Sequence, residues 1–301
     1  MPLSPKHRPG YIWVLLAYLA AGITAVLFAR AGILPPNWHP LLVVLALDVI
    51  ATGVVFLFSL VRNNSSIYDP YWSVAPIAIA AYFIGQAEAD ACLVRQLLVF
   101  AVVSVWGGRL TFNWWRQWTG MGHEDWRYVQ LKQQTGKAYW LVSFFGIHMF
   151  PTLLVYLGCL SLYPALDSSA NHFNVLDAVA LLTCSIAIWT EATADKQLYR
   201  FVKGKPVPGS ILNSGLWRHS RHPNYLGEIM FWWGLFFFAL ASGWQYWWCI
   251  AGPISITVLF IFISIPLHEK RSLARRPSYA EHIKRVPMLV PRLRGLWPAK
   301  G

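Results

Sequence analysis

A succession of apolar runs, each near the ~20 residues needed to cross the hydrocarbon core of a bilayer, constrains this chain more than any other feature. They lie at 11–29, 40–61, 72–87, 94–115, 139–163, 174–194, 225–243 and 246–267. The third is short, and the sixth and seventh carry polar residues. Only 13% of the residues are charged, about half the share of a typical soluble domain, so a water-facing surface of normal size could not be covered. The expectation is an all-α fold: a polytopic transmembrane helix bundle of about eight helices, with seven as the alternative. No segment between the runs is long enough for a soluble domain, so residues 1–301 read as one integral membrane domain.

Charge placement supports this reading. If the N-terminus is cytoplasmic, 22 of the 25 lysines and arginines fall on the cytoplasmic side. The opposite face keeps Arg30 and Arg95, while Arg109 lies inside a run. Cytoplasmic loops carry such an excess by the positive-inside rule, which places both termini in the cytoplasm. The net charge of +12 then suits anionic headgroups rather than nucleic acid. Residues Tyr11 to Phe28 form a run longer than the apolar core of a signal peptide, so a retained first helix is expected. Four scattered cysteines, Cys92, Cys159, Cys184 and Cys249, show no metal-ligand spacing, and no metal site is expected.

Ionisable groups are costly in hydrocarbon and are functional candidates by default. Asp48, Asp69, Arg109, Glu191, Asp195 and Glu228 fall in or beside the runs, with His148 a weaker case. Asp48, alone in the second run, reads more simply as a bond to a neighbouring helix, and His148 as a packing histidine. Glu191 and Asp195 stand four apart and share one helix face, with Lys196, Arg200, Lys203 and Lys205 following. An acidic pair could bridge to those cations. Alternatively, acids and arginines could line a polar cleft, carboxylates accepting from ribose hydroxyls and guanidinium groups clamping phosphate.

The densest constellation is GLWRHSRHPNYLGEIMFWW, residues 215–233. Arg218, His219, Arg221 and His222 precede Pro223, a residue suited to the first turn of a helix. Asn224 and Glu228 follow four apart, with Tyr225 and Trp232 on the same segment. The helix start offers free N–H groups and positive potential to an anion. The fourth run ends in WGGRLTFNWWRQW and then GMGHEDWRY, contributing Arg109 and Arg116. The tail, PLHEKRSLARRPSYAEHIKRVPMLVP, contributes His268, Arg271 and Tyr279. Together they point to one cytoplasmic-side pocket. No GxGxxG, Walker, GxSxG or HExxH pattern is present, so a nucleotide would have to be held within the helical bundle.

These segments, with DPYWSVAP and EATADKQLYRF, span most of 65–291 in order, leaving residues 1–64 outside. In them the chain resembles the steroid 5-alpha-reductase superfamily, in particular its bacterial steroid-dehydrogenase-like membrane branch. The resemblance implies a bacterial inner-membrane protein that encloses NADPH in the cytoplasmic half of the bundle. It would reduce a C=C bond conjugated to a carbonyl in a lipophilic steroid-, isoprenoid- or lipid-like substrate. Asp195, Asn224, Tyr225 and Glu228 would contact the cofactor, with Arg109, His268 and Tyr279 as further contacts and Arg200 and Arg221 suited to the phosphates. The family's Glu–Tyr pair that engages the enone oxygen corresponds here to Asp69 and Trp106. An indole cannot play the part of a phenol, so the expected catalytic group is Asp69 with Tyr68 or Tyr71. HPNYLGE is shared with isoprenylcysteine and phospholipid methyltransferases, which leaves an S-adenosylmethionine-dependent membrane methyltransferase as an alternative. A lipid-binding membrane protein without catalysis is another.

Overall fold

The computed structural model describes residues 8–167 and 172–291, and all regular structure among them is helical. Backbone polar groups in lipid must be satisfied within their own segment, which helices achieve and open strands do not. The chain divides into two compact units, residues 1–172 and 173–301.

In the first unit α1 (Arg8–Arg30) packs on α2 (Pro40–Val61). Helix α2 begins with Pro40 in its first turn, and the His39 side chain accepts the Leu41 N–H. A short 3-10 turn (Ser65–Ile67) leads to α3 (Tyr71–Gln86), which packs on α4 (Leu93–Gln117). A Cβ on Gly107 would collide with the carbonyl oxygen of Ser73, so glycine lets these two backbones meet. Next come α5 (Trp126–Thr135), α6 (Tyr139–Val142), a π-helical turn (Ser143–Met149), α7 (Phe150–Cys159) and α8 (Leu162–Asp167).

The second unit opens with α9 (Val175–Lys203), started by a capping box of Asn174 and Asp177. It continues through α10 (Pro223–Ser242), α11 (Ala251–Leu259), a second π-helical turn (Phe260–Ser264), α12 (Ile265–Arg275) and α13 (Tyr279–Arg285). Among the described membrane-length helices α10 is the most buried, and it lies along α9. Small residues permit this: a Cβ on Gly227 would stand 2.8 Å from the Ala187 carbonyl oxygen, and one on Gly234 would stand 3.1 Å from the Cys184 nitrogen.

Among the described residues, seven helices are long and apolar enough to cross a membrane. The segment expected at 72–87 forms α3, whose 16 residues fall short of that length. Leu15, Leu19, Ile23 and Leu27 on α1 and Leu182 and Trp189 on α9 project outward, as lipid-facing side chains do.

Candidate functional site

The first cluster lies where α2 gives way to α3. Asn64 caps the 3-10 turn by accepting the Ser66 N–H, and its amide donates to the carbonyls of Met121 and His123. Glu124 accepts the Ser65 N–H at 2.9 Å and pairs with Lys132, while the Asp125 N–H donates to Ser66 Oγ. The GHEDWRY segment is thus a clasp on the NSSIYD turn. It delivers a phenol: Tyr128 donates to Asp69 Oδ1 at 2.7 Å. Asp69 is half-buried, and burial pushes its carboxyl up to about 7, against the opposing effect of the Tyr128 hydrogen bond.

The phenol that bonds Asp69 is Tyr128, where the sequence suggests Tyr68 or Tyr71. The Tyr68 hydroxyl bonds Thr152 Oγ1 at 2.8 Å, and Thr152 bonds Thr52. Tyr71 donates to Asp48 Oδ1 at 2.7 Å. Both rings are buried and stacked on each other, which leaves neither hydroxyl directed at Asp69. Trp106 is fully buried, its ring edge-on to Trp72. His148 is a satisfied packing histidine between the Ser143 carbonyl and Ser59 Oγ. Arg109 is half-buried on α4, and Arg116 at its end donates to Asn113.

The second unit holds the remaining candidates. Glu191 and Asp195 lie on one face of α9, with Glu191 buried against Gly227 of α10. Glu228 is buried in α10 and accepts the indole N–H of Trp232 at 3.0 Å. One turn earlier, the buried amide oxygen of Asn224 has no hydrogen-bond partner among the described residues. The loop before α10 is anchored to α9, Gln197 accepting the Leu216 N–H and the Ala194 carbonyl accepting from Trp217. Arg200 and Arg218 are exposed. His222 stacks on Tyr225 at 5.5 Å, and Tyr225 meets Phe260 of the second π turn and His268.

Arg221 has a different setting from that expected for a phosphate ligand. Its Nε donates to Glu269 at 2.7 Å, and its Nη1 donates to the carbonyls of Ile283 and Val286. The backbone N–H groups of Arg221 and His222 donate to the carbonyls of Pro287 and Met288. His222 Nε2 also bonds Glu269. Arg221 thus ties the segment after α13 to the entrance of α10. Tyr279, the first residue of α13, is buried, and burial pushes its phenol up to about 12. Arg271 on α12 is half-buried.

Among the described residues the fold is that of a polytopic helical membrane protein, with all regular structure helical and seven helices long and apolar enough to cross a membrane. The chain belongs to the family described as protein of unknown function DUF1295, whose pattern matches residues 55–286. An uncharacterized protein of the yeast Schizosaccharomyces pombe is similar to it, 30% identical over 282 residues that cover 86% of this chain and 82% of the relative. No solved structure matches.

Proposed function

We propose that this protein is an NADPH-dependent membrane reductase of a C=C bond conjugated to a carbonyl in a lipophilic substrate. The observation that carries the reading is the Asp69–Tyr128 pair: a carboxyl that keeps its proton near neutral pH, joined at 2.7 Å to a phenol. It supplies in one place the acid and the phenol that the departure at Trp106 had separated.

The second unit suits the cofactor by the chemistry of its groups. Glu191 and Asp195 offer carboxylates to ribose hydroxyls, Arg200 and Arg218 offer cations to phosphates, and the unsatisfied Asn224 oxygen offers an acceptor at the start of a 20-residue helix. NADPH, when bound, supplies the hydride. As the alkene is reduced, negative charge develops on the conjugated carbonyl oxygen. Protonated Asp69 donates a hydrogen bond to that oxygen and then its proton, giving an enol that relaxes to the saturated carbonyl. Tyr128 orients the Asp69 carboxyl, and the clasp of Asn64 and Glu124 holds both residues in place.

The test is NADPH oxidation by the purified protein across a panel of apolar conjugated enones and enals. Turnover of at least one is expected, with Asp69→Asn lowering kcat by about 100-fold or more. Turnover that is unchanged in Asp69→Asn would remove Asp69 from the chemistry.

A further inference from the structure

A crevice of about 270 Å³ runs between α1, α2 and α3. Its walls are almost wholly apolar and mix small side chains, such as Gly22 and Ala25 on α1 and Ala75 and Ala78 on α3, with larger aliphatic and aromatic ones. Tyr18, Asp48 and Tyr71 line one part of it, and Tyr82 lines another. From Tyr71 to Tyr82 is eleven residues of helix, about 17 Å of length at 1.5 Å per residue. Gly22 and Val26 are exposed, so the crevice opens sideways onto the lipid face of α1.

Asp48 is the anomaly. It is 6% exposed and lines this apolar space. Tyr71 takes up its Oδ1, yet its buried Oδ2 has no hydrogen-bond partner among the described residues. A buried acceptor without a partner is costly, and the more so where no water reaches it. The residue reads at first as a simple interhelical bond, but that role occupies only one of its two oxygens.

We propose that this crevice binds an elongated, apolar molecule carrying a single hydroxyl, a long-chain alcohol in chemical class, with the hydroxyl on Asp48 Oδ2 and the chain along α3. A hydroxyl is the neutral head group that matches the carboxyl in either protonation state, donating to the carboxylate or accepting from the acid. A carbonyl would match only the acid, and an ammonium would require an ion pair to be desolvated. Small side chains leave a narrow slot suited to a chain, and the lateral opening admits the ligand from the bilayer. The site is separate from Asp69 and does not depend on the reductase reading.

The experiment is photolabelling of the detergent-purified full-length protein with a diazirine-bearing hexadecanol, followed by peptide mapping. Label should concentrate on α1, α2 and α3, and hexadecanol should compete it while hexadecane does not. Asp48→Leu and Gly22→Leu should each lower that label about tenfold, the scale of losing a hydrogen bond to a charged group or the space for the chain. Nothing lies within 4 Å of a Cβ built on Gly22. Leucine there narrows the crevice without a collision, so this variant decides the matter even if Asp48→Leu does not fold. Equal competition by hexadecane would mean that an apolar tail alone fills the space. That result, or label unchanged in Gly22→Leu, overturns the proposal.

Discussion

Asp69 and Tyr128 are separated by 59 positions and joined by one hydrogen bond, and their titration gives the sharpest expectations for single residues. On the proposed reading, in which Asp69 is the protonated acid, turnover should hold below pH of about 7 and fall about tenfold per unit above it. The Tyr128 hydrogen bond stabilises the carboxylate, so Tyr128→Phe should move the alkaline limb to higher pH. A limb that stays in place would exclude this coupling. The same shift links to stability. The folded carboxyl holds a proton that the unfolded chain has lost, so the contribution of Asp69 to stability falls as pH rises from about 4 to 7. Arg221 calls for a different measurement. Removing it leaves Glu269 with His222 as its partner and takes the donor from the carbonyls of Ile283 and Val286. Arg221→Ala should therefore cost about 3–5 kcal/mol, the range for breaking a buried pair. It should show as a lowered melting temperature in detergent with or without NADPH. A variant of normal stability that had lost only nucleotide affinity would instead make Arg221 a phosphate ligand.

Among the elements, the contact of α9 with α10 depends on glycine. Gly227→Ala places a methyl 2.8 Å from the Ala187 carbonyl oxygen and 2.9 Å from Glu191 Cβ. The expected cost is about 1–3 kcal/mol of overpacking. Cofactor affinity should fall with it, because Glu191 and Glu228 flank this contact. Full stability in that variant would show the helices free to separate. Helix α3 sets the parity of the membrane crossings. With 16 residues it spans about 24 Å, slightly less than the hydrocarbon core. If it crosses, the positive-inside pattern puts both termini in the cytoplasm. Single cysteines at the exposed positions Asn63 and Asp90 should then face opposite sides to a membrane-impermeant thiol reagent. Labelling from the same side would make α3 a re-entrant helix.

At the scale of the whole molecule, the helices were legible because their signal is local: run length, apolar composition and the asymmetry of lysine and arginine. The shared face of Glu191 and Asp195 was legible for the same reason, since four residues along a helix is one turn. Long-range pairings were not. Nothing local marks Tyr128 as the partner of Asp69, because the clasp that brings them together consists largely of backbone groups of Ser65, Met121 and His123. Arg221 looked like a phosphate ligand because its main partners, the carbonyls of Ile283 and Val286, carry no side-chain signature. For Asp48 the sequence suggests a single interhelical bond and does not show that its second oxygen is buried without a partner among the described residues. What the chain carries in its second unit tests the functional reading most directly. Mass spectrometry of small molecules released from protein purified in mild detergent should find NADPH or NADP, with much less from a variant lacking Asp195 and Asn224. Release of S-adenosylmethionine, or of lipid with no nucleotide and no NADPH binding on addition, would contradict it.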